Sequence, residues 1–256
     1  MSTVHQIDLP LWGGGDVLGD RHGEIVTRRA LNARFSREDG NDVPVGHVLR
    51  PLWRGRVHEL ALTVFAPAVL VLVVSADGSV GTRIGIGVYA VGLCSMLFVS
   101  ATYHRWVHGL RARCAWRRAD HATIFAGMAG SATPIVMCAL RGVAGLVLLG
   151  AIWSAAVIGA SCKLGRWWRG DQVGTMMYAL TAALCALAVP ALWIRHGSGP
   201  ALLVVAGGAI YLVGAVCFAL HWPTLRPRVF SFHEVWHVFT VVAAGLQLTA
   251  IWILAT

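Results

Sequence analysis

Seven long apolar runs decide what this chain can become. They lie at about residues 57–76, 84–106, 119–140, 142–162, 173–194, 200–221 and 231–255. Each is close to the ~20 residues with which a helix crosses ~30 Å of hydrocarbon. With 57% of its residues hydrophobic and 13% charged, the chain has too few polar side chains to cover a water-facing surface, so its exterior must meet lipid. The reading is an all-α integral membrane protein, a seven-transmembrane-helix bundle that is multi-pass in the cell (plasma) membrane.

Breakers separate the runs: Asp77-Gly78, Gly109, Gly142, Gly170, Gly197 to Pro200, and Pro223 with Pro227. Basic residues alternate between the two sets of loops. Arg50, Arg54 and Arg56 precede the first run, Arg105, Arg111, Arg113, Arg117 and Arg118 follow the second, Lys163, Arg166 and Arg169 follow the fourth, and Arg226 and Arg228 follow the sixth. The other loops hold only Arg83, Arg141 and Arg195. Positive charge stays inside, which predicts a cytoplasmic N-terminus and, with an odd number of spans, a C-terminus on the far side. The same distribution explains the net charge of +9 without a nucleic-acid partner, because the charges form no single patch.

Residues 1–50 mix Gly13-Gly14-Gly15, Pro10, Pro44, arginines and acids without an apolar period. They read as a polar, mobile cytoplasmic tail with at most a short helix, ahead of a membrane domain over 51–256. The tail contains no continuous apolar core, so the first span is expected to direct insertion. The six cysteines form no C-x-x-C pair, and five sit in or at the ends of apolar runs; they read as small buried residues. Glycines such as Gly85, Gly127 and Gly130 suit close helix approach in lipid, and Pro67, Pro134 and Pro190 are expected to kink their helices.

Ionisable residues in spans are costly and mark function. Here they gather at one depth: His58 and Glu59 open the first span, His104 closes the second, Asp120 and His121 open the third, and His233, Glu234 and His237 open the seventh. All fall on the predicted cytoplasmic side. Two of the histidines belong to HEVWH, which fits the H-E-x-x-H pattern of zinc metalloproteases. Four residues apart, His233 and His237 project from one helix face about 6 Å apart along the axis, a spacing that suits two ligands of one ion. His104 could supply a third, with Asp120 bonded to the metal's water or to a histidine. Taken singly, His58, His108 and His121 read as interfacial histidines bonded to headgroups or carbonyls. The protease reading meets an obstacle: the D-G pairs Asp39-Gly40 and Asp77-Gly78 lie in the tail and in a far-side turn, where neither can complete a membrane protease site.

The stretches SATYHRWVH (Ser100–His108), RRADHATIFAGMAGSATP (Arg117–Pro134) and FSFHEVWHVFTVVAAGLQ (Phe230–Gln247) resemble the three signature segments of the haemolysin III proteins, the bacterial branch of the progestin and adipoQ receptor family. RGRVHELA (Arg54–Ala61) is similar to that branch as well. The resemblance covers about residues 50–256. It implies a seven-helix bundle with zinc near the cytoplasmic face, held by His104, His233 and His237. Asp120 would match the aspartate that holds the zinc-bound water, and Ser100 the serine of S-x3-H beside it. The residue after the first histidine of H-x3-H varies in this family, so Glu234 is expected to be incidental.

These readings lead to a zinc-dependent intramembrane hydrolase whose Zn²⁺ lowers the pKa of a bound water from ~15.7 toward ~7. Asp120 would orient that water and take its proton, and Ser100 would hold the water or the developing oxyanion. The expected substrate is a membrane lipid amide or ester. The alternative is a non-enzymatic haemolysin-like or membrane-sensing protein with a structural zinc. A proton-coupled transporter would need ionisable residues at mid-span in several helices, and the sequence has none there.

Overall fold

The computed structural model describes residues 17–19, 25–27, 51–76, 79–108, 110–165, 171–226 and 229–256. Eight helices are described: α1 Arg56–Ser75, α2 Val80–Arg105, α3 Leu110–Ala139, α4 Gly142–Leu164, α5 Asp171–Ala186, α6 Val189–His196, α7 Ser198–Ala219 and α8 Phe232–Ala255. With α5 and α6 taken together as one span, seven segments among the described residues are long and apolar enough to cross a membrane. The chain is a seven-span, all-α membrane protein. Large apolar side chains such as Val80, Val143 and Ile194 lie exposed on the outside of the bundle, the surface that lipid covers.

Within the first 50 residues, β1 (Val17–Gly19) and β2 (Ile25–Thr27) form a small antiparallel pair with Leu18 opposite Val26, where the sequence suggested at most a short helix. The rest of the expected tail lies outside the described residues.

α3 is the most enclosed helix, touching α2, α4, α5, α6 and α8, and the bundle closes where α8 meets α1 and α7. Small residues allow these approaches. A Cβ on Gly92 of α2 would stand 2.5 Å from the Ala126 carbonyl oxygen of α3, and one on Gly159 of α4 would stand 2.3 Å from the Phe125 ring. With few bulky groups between them, helix backbones gain dispersion contacts that lipid cannot replace.

Two boundaries depart from the apolar runs. α3 begins at Leu110 rather than near 119, because Arg and Ala are good helix formers and nothing between 110 and 118 breaks the helix. Hydropathy cannot register a helical turn that lies ahead of the apolar part. The fifth span breaks instead of bending: the Leu187 and Ala188 N–H groups donate to the carbonyls of Leu184 and Cys185, three residues back, at 3.2 and 3.3 Å. Pro190 follows in the first turn of α6, where its missing N–H is tolerated. Pro67 and Pro134 stay inside continuous helices.

Candidate metal centre

The site is assembled where the starts of α1 and α8 meet the last turn of α2. Gly55 leads into α1 with φ +79°, a left-handed conformation that glycine adopts at little steric cost. A Cβ there would lie 2.8 Å from His104 Cβ and 2.9 Å from Arg105 Cγ, so the missing side chain lets α1 press against the end of α2. Glu59 pairs with Arg105 across the same contact. On the other flank the Trp53 N–H donates to the Val229 carbonyl at 3.1 Å, and Arg54 Nε donates to Glu234 Oε1 at 2.5 Å.

Glu234 is fully buried. Its second oxygen accepts from the Ser231 N–H at 2.7 Å and the Ser231 hydroxyl at 2.6 Å, which makes a capping box at the start of α8. Both carboxylate oxygens are therefore engaged in holding the helix start. This corrects the expectation that Glu234 is incidental: it is a structural residue of the helix that carries the histidines, and its bonds are not those of a protease base.

α8 presents His233 in its first turn and His237 one turn later, opposite His104 of α2. Each offers a ring nitrogen, and the three atoms lie within 4.8 Å of one another. His104 Nε2 and His233 Nε2 are 3.2 Å apart. Two nitrogens on one tetrahedral zinc, with Zn–N of about 2.0–2.1 Å, stand roughly 3.3 Å apart, so this pair already has ligand spacing. His237 Nε2 is buried and has no hydrogen-bond partner among the described residues. Such an orphan costs on the order of 1–3 kcal/mol, which a cation among the three rings would remove. The residues present fit a metal ion, and a three-imidazole set suits a borderline divalent metal.

The remaining predicted site residues surround this cluster. Asp120 Oδ2 lies 3.9 Å from His104 Nε2, too far for a direct hydrogen bond. Ser100 is buried one turn before His104 on α2, the i, i+4 relation that puts both on one helix face. Arg113, itself buried, bonds the Val107 carbonyl at 3.2 Å and lies over the Tyr103 ring, fastening the turn between α2 and α3. His121 accepts the Tyr178 hydroxyl on its backbone carbonyl at 2.7 Å, and neither it nor His108 belongs to the three-histidine group.

His58 is the residue that sequence reasoning undervalued. Read singly as interfacial, it is buried and meets His237 edge to face, with ring centroids 3.9 Å apart and planes at 82°. Its position at the depth of the other ionisable residues was the available signal. Thr240, bonded to both rings' residues, carried no such signal, since threonine is ordinary in a span.

A family model described as Haemolysin-III related matches residues 47–248. The chain belongs to the haemolysin III family. Every residue of the cluster, from Arg54 to Thr240, lies inside the matched region. Among curated haemolysin III relatives, Hemolysin-3 of Bacillus cereus is 27% identical over 192 residues, covering 74% of this chain and 84% of that protein. The Hemolysin-3 homolog of Bacillus subtilis (strain 168) is 26% identical over 187 residues, covering 72% and 84%.

Proposed function

We propose that this haemolysin III protein is a zinc-dependent intramembrane hydrolase of the plasma membrane, acting on a lipid amide or ester near the cytoplasmic face. The observation that carries the reading is the three-histidine group, with His104 and His237 buried and His233 half-buried, open at His237 Nε2, with a carboxylate beside it. His104, His233 and His237 would hold the ion. Bound there, Zn²⁺ supplies Lewis acidity, bringing the pKa of a water from ~15.7 toward ~7 and polarising a carbonyl.

The chain's own groups supply the rest. Asp120 orients the attacking water, takes its proton as the new C–O bond forms, and returns a proton to the nitrogen or oxygen that leaves as the C–N or C–O bond breaks. Ser100 donates its hydroxyl proton in a hydrogen bond to the oxyanion that develops on the carbonyl. The basic loops predict that this end of the bundle faces the cytoplasm, at the depth of a lipid's headgroup linkage. The exposed apolar flanks leave the substrate free to arrive from the bilayer.

A second reading is a lytic or membrane-sensing protein with a structural zinc; its lytic part follows the name Hemolysin-3 that both relatives carry. One experiment separates the two. The purified protein is mixed with liposomes containing ceramide-like or phospholipid substrates, and both dye leakage and fatty-acid release are followed. Fatty-acid release that chelators stop, and that Asp120→Asn lowers at least 100-fold, supports the hydrolase. Leakage without product, indifferent to chelators, overturns it.

A further inference from the structure

We propose that His58 is a positioning residue for the metal site: with Thr240 it fixes the proton of His237 on Nδ1 and leaves Nε2 bare to face His104 and His233. This inference rests on the metal reading above. A neutral imidazole can bind a cation through one nitrogen only when its proton sits on the other. Which nitrogen carries the proton is set by the hydrogen bonds around it.

Thr240 decides the assignment. Its hydroxyl donates to the His237 carbonyl at 2.8 Å, so its one proton is committed and its oxygen can only accept. His58 Nε2, 2.9 Å away, must therefore donate, which leaves His58 Nδ1 without a proton. His237 Nδ1 lies 3.0 Å from His58 Nδ1 and 2.9 Å from its Nε2, so distance alone does not choose between them. The rings meet edge to face, which sets His237 Nδ1 over the His58 ring, where neither in-plane nitrogen of His58 can donate to it; His237 Nδ1 therefore directs its own N–H at that ring face and carries the proton. The remaining nitrogen of His237, Nε2, is buried and has no hydrogen-bond partner among the described residues.

The three residues are all buried, so water does not compete for these bonds. They also join two helices. His58 comes from the first turn of α1, and Thr240 lies one turn beyond His237 on α8. A ligand's outer hydrogen bond typically accounts for a 10–100-fold difference in metal affinity, and His58 is the outer partner of His237.

The test is zinc affinity of the detergent-purified full chain, measured against a competing chelator, with the unfolding temperature of each metal-free protein recorded alongside. Wild type, His58→Ala, His58→Asn and Thr240→Val are compared. The expected result is affinity weakened about 10–100-fold by His58→Ala and largely recovered by His58→Asn, whose amide oxygen can accept from Nδ1–H. Thr240→Val should weaken binding in the same direction and, by leaving the buried His58 Nε2–H without its acceptor, should also lower the metal-free unfolding temperature. Wild-type affinity in His58→Ala, or His58→Asn as weak as His58→Ala, overturns the assignment while leaving the metal centre intact. A wild-type protein that takes up no zinc sinks the metal reading, and this one with it.

Discussion

Arg54 and Glu234 stand 180 residues apart in sequence and meet at 2.5 Å in a buried pair that ties the start of α1 to the start of α8. One helix carries His58 and the other carries His233 and His237. The pair therefore sets the distance over which His58 and His237 meet, and it does so from outside the metal cluster.

Removing one member of such a pair leaves a buried charge unmatched. Glu234→Ala is expected to cost about 3–5 kcal/mol, read as a lowered unfolding temperature in detergent, because it also uncaps α8. Glu234→Gln keeps an oxygen for Ser231 and should lose less, with its metal content unchanged. A folded Glu234→Gln protein that kept its metal but lost hydrolytic turnover would return this glutamate to the chemistry and revive the metalloprotease reading.

Gly55 has two reasons to be glycine, its positive φ and the closeness of His104. Gly55→Ala should destabilise by roughly 1–3 kcal/mol and weaken zinc binding, since one of the displaced atoms is the Cβ of His104, a proposed ligand. Gly150→Ala makes the control: a Cβ there meets nothing within 4 Å, so the unfolding temperature should hold or rise slightly.

Gly92→Val tests the contact of α2 with α3. The Ala126 carbonyl oxygen would be 2.5 Å from the new Cβ, and backbone cannot step aside as a side chain can. A loss of roughly 1–3 kcal/mol or more is expected, measured by thermal unfolding, whether or not zinc is bound.

Chelation should lower the stability of the wild-type protein and added zinc should restore it, because an ion that binds only the folded state stabilises by about 2.7 kcal/mol at a hundred times its Kd. His237→Ala should unfold at the same temperature with and without chelator. A chelator-dependent shift that survives in His237→Ala would move the ion elsewhere.

The spans and the gathering of His104, Asp120, His233 and His237 at one depth were legible because both are periodic or local properties: apolar length, helical spacing, position along a span. The break before Pro190 was visible as a kink signal but not as two helices, since proline's cost depends on which carbonyls a neighbour can satisfy. Glu234 was misjudged for a different reason. Its partner Arg54 lies at the other end of the membrane domain, and no spacing rule links them. His58 failed the same way: taken alone it resembles any histidine at a headgroup, and its role emerges only with the ring of His237 beside it.

Elemental analysis of the detergent-purified protein tests the central claim most directly. The account predicts about one zinc per chain in the wild type, lost in His104→Ala and His237→Ala and kept in Glu234→Gln. No stoichiometric metal in the wild type, or a metal content that His237→Ala leaves unchanged, would contradict it.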